Sequence, residues 1–193
     1  MIVGSFRTIT DRGTALACSV TALGAAVLAL GLSAPAAART TATFVSKLYR
    51  YSIVLPGPRS RWSATLATQR WADSSLPGIG DPQLDTFDDG KTGRTYLLAA
   101  RPTMSSLAKW TKFVIAARPS VCGKPNRPTK TTVGGASAEV VRWTCSDGYR
   151  VVVGTAVRAR RGYFLLVASP TDVPWTSDVR AFDAARRSFR FPR

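Results

Sequence analysis

The sequence contains no histidine, and its 27 lysines and arginines far outnumber its 11 acidic residues. Without an imidazole, neither a Ser-His nor a Cys-His nucleophile can be assembled, so acid–base chemistry would fall to Asp, Glu, Lys and Tyr. A zinc site is disfavoured for the same reason, because no imidazole can join the few thiols as a ligand. The net charge of +16 instead predicts a long-range attraction for anionic polymers.

Long hydrophobic runs are also lacking, since a membrane-spanning helix needs about 20 apolar residues. The most apolar stretch is Ser19–Leu32, which follows Arg7 and Arg12 and precedes small residues ending at Ala38. This arrangement predicts a secretory signal peptide over residues 1–38, cleaved near Ala38. The protein is therefore expected to be secreted or extracytoplasmic. The alternative is a retained N-terminal segment that anchors it to the membrane.

Cysteine is scarce, with three in the chain. Cys18 falls within the predicted signal peptide, which leaves Cys122 and Cys145 in the exported part. Two cysteines in an oxidising compartment predict one disulfide, Cys122–Cys145. A crosslink that closes a loop of this length stabilises a fold by about 3 kcal/mol in the chain-entropy model.

Residues 39–47 are small and polar, and we expect a flexible leader there, followed by a single domain over residues 48–193. Alternating β-forming residues predict strands in that domain. The predicted strands are Leu48–Leu55, Trp62–Trp71, Thr95–Ala100, Ala138–Thr144, Tyr149–Val157 and Tyr163–Ala168. The dense Pro, Gly and Asp of Leu76–Asp89 predict a loop, and residues 124–135 predict a basic, turn-rich connection.

Two helices are predicted beside these strands. Apolar residues recur at helical spacing from Leu107 to Val114, with Thr103 as a possible N-cap. A second helical pattern ends at Phe189, and Ser177 is its possible cap. Strands in antiparallel groups, with one helix between them and one after, predict an α+β fold in which helices flank an antiparallel meander.

Several local sequences occur in an order that resembles the PsbP/Mog1-like domain family, including its secreted bacterial members. They are YSIVLPGP, SLAKWTKFVIAA, TTVGGASAEVVRW, GYFLLVAS and FDAARRSFRF, and they span residues 49–191. The resemblance implies an antiparallel sheet flanked by helices and a non-catalytic binding or assembly role, usually with a protein partner. Some metal contacts of photosynthetic members involve histidine, which is absent here, so no metal site or cofactor is carried over.

Residues 88–94, DDGKTGR, partly match two catalytic motifs. A phosphate-binding loop needs a glycine where Asp85 stands, and two aspartates beside it would repel phosphate. Ser106–Lys109 is an S-x-x-K and Lys91–Gly93 a K-T-G, but their order is reversed relative to the serine acyl-enzymes that use both. A hairpin loop over Phe87–Tyr96 explains the Asp and Gly residues better.

Four aspartates lie close together in this region, at positions 81, 85, 88 and 89. Their oxygens could hold Ca²⁺, but their spacing is not that of a calcium-binding loop. A solvated loop is therefore the favoured interpretation, with a cation site left as the alternative.

Basic residues cluster around the predicted meander and could form one binding patch. The candidates are Arg142, Arg150, Arg158, Arg160, Arg161, Lys124, Arg127 and Lys130. The leading hypothesis is a non-catalytic, exported domain that binds a protein partner. The alternative is an envelope protein that binds anionic polymers through its arginines, with nucleic acid less favoured, and an envelope hydrolase is a distant third.

Overall fold

The structure, a computed structural model, describes residues 40–72, 75–78 and 80–192. The signal peptide predicted for residues 1–38 lies outside these ranges. In the described part the chain forms nine strands, two α-helices and one turn of 3-10 helix at Arg59–Arg61. The strands are β1 (Thr41–Val45), β2 (Ser52–Pro56), β3 (Trp62–Thr65), β4 (Asp85–Asp89), β5 (Arg94–Pro102), β6 (Thr129–Val133), β7 (Ala136–Thr144), β8 (Tyr149–Arg158) and β9 (Arg161–Pro170); the helices are α1 (Leu107–Ala116) and α2 (Trp175–Ser188).

Seven strands form one antiparallel sheet in the order β3-β4-β5-β9-β8-β7-β6. Strands β1 and β2 form a separate antiparallel hairpin. The long strands β8 and β9 pair over their whole length in the middle of the sheet, and each is buried at most positions. The α+β fold with an antiparallel meander is confirmed.

The two helices pack on opposite faces of the sheet, because successive residues of a strand point to opposite sides. The hydroxyl of Thr155 on β8 lies 2.7 Å from that of Thr111 on α1. Its neighbour Gly154 faces Phe182 of α2, and a Cβ at Gly154 would lie only 2.7 Å from the Phe182 ring. Glycine at this position therefore lets α2 approach the sheet closely.

The N-terminal hairpin is joined to the C-terminal end of the chain. Ser52 and Arg190 exchange two backbone hydrogen bonds of 3.0 and 2.8 Å. The Ser188 hydroxyl accepts from the backbone N–H of Val54 and donates to its carbonyl. The rings of Tyr51 and Phe189 stack with their centroids 5.0 Å apart. The two ends of the folded domain therefore stabilise each other.

This packing corrects the prediction of a flexible leader over residues 39–47. Residues 41–45 form β1, in which Ala42 and Phe44 are buried and their neighbours are exposed. Phe44 contacts the ring of Phe87 at a centroid distance of 4.6 Å. The strand is short and its polar positions face solvent, which is why composition alone did not indicate it.

Other element boundaries also differ from the sequence prediction. Strand β4 lies within the predicted loop over residues 76–89, and β6 lies within the predicted connection over residues 124–135. Helix α1 is capped by Ser106 and not by Thr103, whose hydroxyl accepts from the backbone N–H of Ser105. Pro174 occupies the N-cap position of α2, so Ser177 lies inside the first turn.

Candidate functional site

The DDGKTGR segment forms the turn between β4 and β5, as predicted. Phe87 pairs with Tyr96 in the hairpin, and Gly93 adopts a left-handed φ of 66°. Asp89 organises the turn. Its carboxylate accepts from the Lys91 backbone N–H at 3.0 Å and the Thr92 hydroxyl at 2.5 Å, and it is paired with the guanidinium of Arg61.

Burial alone would raise the pKa of Asp89, but these hydrogen bonds outweigh it and the pKa is lowered. The carboxylate is therefore charged at neutral pH and tied to its own hairpin. The motif holds a turn together, and no phosphate site is needed to explain its residues.

The serine of the S-x-x-K motif also has a structural role. Ser106 Oγ accepts from the backbone N–H of Lys109 and so caps α1. Lys91 of the K-T-G motif lies in the β4–β5 turn, where its backbone N–H binds Asp89. These contacts account for both motifs without a catalytic serine.

The four aspartates of residues 81–89 bind separate groups of the protein. Asp81 accepts from the Gln83 backbone N–H, and Asp88 accepts from the Thr95 hydroxyl. Asp85 is fully buried and accepts from the Tyr51 hydroxyl at 2.6 Å and the Ala67 backbone N–H at 2.8 Å. Asp85 and Asp89 therefore do not belong to a solvated loop, because both lie buried in β4. Among the described residues, no group of three or more His, Cys, Asp or Glu side chains could hold a metal ion.

Buried tyrosines make the fold sensitive to high pH. Burial raises the pKa of Tyr49 to about 12 and that of Tyr96 to about 12, from an ordinary value of 10.0. The unfolded chain thus loses these protons first, and we expect the free energy of unfolding to fall as the pH rises from about 10 to about 12. Tyrosinate absorbance should therefore appear together with loss of the near-ultraviolet circular dichroism signal. Smooth ionisation of all five tyrosines near pH 10 with an unchanged dichroism signal would contradict this prediction.

The predicted disulfide Cys122–Cys145 is present and borders an apolar pocket of about 220 Å³. The pocket lies against the face of the sheet that also carries α1, and side chains of β5, β7, β8 and β9 form its floor. Leu76 and Val121 belong to the surrounding loops, and Asp147 is the one charged residue among the described residues of the lining. Val121 and Tyr149, both in the lining, are exposed at 48% and 40%.

The basic residues proposed as one patch are divided between the two ends of the sheet. Arg150 lies near the start of β8 and Arg158 at its end, about 26 Å apart at about 3.3 Å per residue. Arg160 lies in the β8–β9 turn, next to Arg158 and Arg161, which pair across that turn. The prediction of a single patch therefore needs correction.

At the far end, Arg142 and Arg150 each lie with the guanidinium 5.6 Å from the ring centre of Trp175. Lys124 lines an open depression beside Arg142 and Trp175. Arg127 is exposed in the connection before β6, and Lys130 pairs with Glu139 in the β6–β7 register.

Asp178, three residues after Trp175 in α2, forms a buried ion pair with Arg94 of β5. The Nε atom of Arg94 lies 3.1 Å from the carboxylate. Arg94 also donates to the Ser177 hydroxyl, and Arg150 Nε lies 3.8 Å from the other carboxylate oxygen of Asp178. Asp178 stands in the first turn of α2, where the helix dipole favours a negative charge. This cluster fixes α2 to the sheet.

At the opposite end of the sheet lies a second pocket, of about 410 Å³, which we call the arginine pocket. It is lined by Arg50, Arg70, Arg158 and Arg161, together with aromatic side chains and the C-terminal segment. None of the described residues that line it is acidic.

Sequence reasoning found Arg158 and Arg161 but missed Arg50 and Arg70. Arg50 lies in the turn between β1 and β2, and Arg70 lies in the loop after β3. Tertiary packing alone brings these segments to the β8–β9 turn. The one local signal is an unusual backbone: Arg50, Ala159 and Arg160 adopt left-handed φ angles of 61°, 48° and 57°. Such a conformation costs a non-glycine residue about 1–3 kcal/mol. In Ala159 and Arg160 it follows from the two-residue turn between β8 and β9, which requires positive φ at both positions.

Within the described ranges, no helix is long and apolar enough to cross a membrane.

No protein-family model and no curated protein matches the sequence. Among solved structures, the chain is similar to the solution structure of cyanobacterial PsbP (CyanoP) from Synechocystis sp. PCC 6803, with a TM-score of 0.53 and 12% identity over 84% of this chain and 98% of that one. A weaker likeness, with a TM-score of 0.48 and 13% identity over 80% of this chain and 91% of the other, is to LpqN, involved in cell envelope biogenesis of Mycobacterium tuberculosis. At 12% identity the first likeness establishes architecture alone. The described part of this chain has the PsbP-like α+β fold that its sequence motifs predicted.

Proposed function

We propose that this chain is an exported, non-catalytic domain that acts by binding a protein partner. The observation that carries the proposal is the apolar pocket beside the disulfide. The described residues include four exposed large hydrophobic side chains, and two of them, Val121 and Tyr149, line this one pocket. An apolar centre that remains open to solvent is typical of a surface that a partner covers.

The size of the pocket indicates what it would hold. Its volume of about 220 Å³ is below the range of about 300–1,000 Å³ typical of small-molecule sites. It suits one large apolar side chain of a partner, the kind of anchor that dominates protein interfaces. The disulfide holds Cys122, the neighbour of Val121, against Cys145 at the end of β7, so the pocket wall is fixed before binding.

The fold and the disulfide support the rest of the proposal. A disulfide suits an oxidising compartment, as the predicted export requires. The residues that suggested a serine enzyme have structural contacts instead, with Ser106 capping α1 and Lys91 held in a turn. The resemblance of the sequence motifs to PsbP/Mog1-like domains implies a binding or assembly role of the same kind.

A matched pair of variants tests the pocket. The full chain, immobilised, is incubated with cell-envelope extract at low and high salt, as wild type, as Val121→Asp and as Val45→Asp. Val45 is an exposed valine on β1 and controls for the substitution itself. We expect a defined protein retained at high salt by wild type and Val45→Asp, and at least tenfold depleted with Val121→Asp. Equal retention by all three would reject the apolar pocket as the contact surface.

The second candidate function is binding of an anionic envelope polymer, favoured by the net charge of +16. Binding through many charge contacts weakens steeply with salt, whereas a packed apolar interface weakens less. Retention of polymer alone, lost at high salt and unaffected by Val121→Asp, would favour this candidate.

A further inference from the structure

We propose that the arginine pocket binds a small ligand through a phosphate monoester or diphosphate group. The arginine pocket and the apolar pocket lie at opposite ends of β8, since Arg158 lines the arginine pocket and Tyr149 lines the apolar pocket. The inference is therefore independent of the partner-binding surface and stands on different residues.

The first observation concerns the hydrogen bonds and ion pairs of the pocket arginines. None of the side chains of Arg50, Arg70, Arg158 and Arg161 forms a hydrogen bond or ion pair with the described residues. Several arginines elsewhere do so, although exposed ones such as Arg127 and Arg180 do not. Those that donate to acceptors within the chain include Arg59, Arg61, Arg94, Arg118, Arg150 and Arg186. Four arginines thus line one pocket without a hydrogen-bond or ion-pair partner among the described residues.

The second observation is the backbone that holds them there. Arg50, Ala159 and Arg160 are the non-glycine residues with left-handed φ angles in the described part of the chain. Arg50 and Ala159 line the pocket, and Arg160 follows directly. Glycine would adopt these conformations at lower cost, but it could not supply the guanidinium of Arg50. Ala159 and Arg160 form the two-residue turn between β8 and β9, which requires positive φ at both positions, so the hairpin itself places Arg158 and Arg161 beside Arg50.

The aromatic wall orients the arginines and supplies a further donor. The Arg158 guanidinium lies over the Phe191 ring, 5.0 Å from its centre. A stacked guanidinium presents its N–H groups at the edge, where they can bind two oxygens at once. Burial raises the pKa of the neighbouring Tyr163, although Arg161 and Arg158 oppose that effect. The phenol therefore stays protonated at neutral pH and can donate a hydrogen bond.

Charge selects the chemical class of the ligand. The described lining residues carry four positive charges and no negative one, so a single carboxylate ligand would leave most of that charge unbalanced. A phosphate monoester carries nearly two negative charges and three acceptor oxygens, and a diphosphate carries more. The volume of about 410 Å³ exceeds what a bare phosphate fills, which leaves room for an organic body against Tyr49 and Phe191. The same phosphate chemistry occurs in soluble metabolites and in lipid headgroups.

Isothermal titration of the full chain with inorganic diphosphate tests the site directly. We expect one saturable site, with affinity at least tenfold weaker in Arg158→Gln/Arg161→Gln. The control is Arg127→Gln/Arg180→Gln, which removes the same charge from exposed positions outside the pocket and should change affinity less than twofold. Should the pocket double variant lose its near-ultraviolet dichroism signal, Arg70→Gln replaces it, because Arg70 lies exposed in a loop.

Two further measurements identify the source of the ligand and the selectivity of the site. Vesicles containing phosphatidic acid present the monoester on a lipid, and phosphatidylglycerol vesicles of equal surface charge present a diester. If the protein prefers phosphatidic acid and this preference depends on Arg158 and Arg161, the ligand of the site is a lipid headgroup. If the protein binds diphosphate but does not prefer phosphatidic acid, the ligand is a soluble molecule. No saturable diphosphate or phosphatidic acid binding, or equal binding of citrate, would overturn the proposal. Retention of the protein partner is read separately, so either proposal can fail alone.

Discussion

Replacing Asp178 by alanine should lower the free energy of unfolding by about 3–5 kcal/mol, because it leaves Arg94 buried without its counter-charge. Arg94 is only 7% exposed, so water cannot replace the carboxylate. Arg150 would lose the same partner, and the first turn of α2 would lose a favourable charge. Urea unfolding followed by tryptophan fluorescence measures the change.

Two comparisons separate the loss of the ion pair from other effects of the substitution. Asp183→Ala removes a carboxylate from the same helix whose partner, Arg186, is three residues away at the surface, and it should cost less than about 1 kcal/mol. The double variant Arg94→Met/Asp178→Leu should recover much of the stability, since replacing both charges removes the unpaired one. If Asp178→Ala were no more destabilising than Asp183→Ala, the cluster would not be what holds α2 to the sheet.

Removing the disulfide by Cys122→Ala/Cys145→Ala should lower the free energy of unfolding by about 3 kcal/mol. The two cysteines are 23 residues apart in sequence, and the crosslink limits the conformations of the unfolded chain over that loop. The same change should loosen Val121 and the wall of the apolar pocket. Thermal and urea unfolding give the stability, and hydrogen exchange of residues 119–128 reports the local effect.

Reduction of the wild-type protein provides the control, because it breaks the same bond without substituting either cysteine. Reduced wild type and the double variant should agree to within about 1 kcal/mol and show the same local increase in exchange. A double variant as stable as the oxidised protein would show that the crosslink adds nothing to the fold. In that case backbone hydrogen bonds, such as those from Gly123 to Thr144 and from Ser146 to Val121, would be enough to hold the pocket wall.

Helices and strands with a strong hydrophobic periodicity were predicted well from the sequence. The pattern from Leu107 onward gave α1, and alternating β-branched residues gave β7, β8 and β9. Of the missed strands, β1 and β6 are short and rich in Thr and Val, whereas the composition of β4 does not favour β structure. Strand β4 reads DTFDD, and its Asp85 and Asp89 are buried because Tyr51, Arg61 and backbone groups bind them. Only the tertiary structure supplies those partners, so local propensity could not reveal the strand.

The sites were predicted less well, and for a geometric reason. A sequence shows that Arg150 and Arg158 lie on one strand, but the length of that strand places them at opposite ends of the sheet. Conversely, Arg50 and Arg158 are 108 positions apart and still line one pocket. The disulfide was predictable because it follows from a count of cysteines and an expected compartment, neither of which requires the fold.

The mutual dependence of the N-terminal hairpin and the C-terminal helix has a consequence for the order of folding. Ser52 and Arg190 bond to each other, and β5 must wait for β9, some sixty residues later, to complete the middle of the sheet. Pairings so distant in sequence make folding slow. A chain being synthesised cannot close this domain until its last residues have emerged. Until then the chain lacks the contacts that close the sheet and remains incompletely folded, which suits the predicted export because a secretion channel threads an unfolded chain.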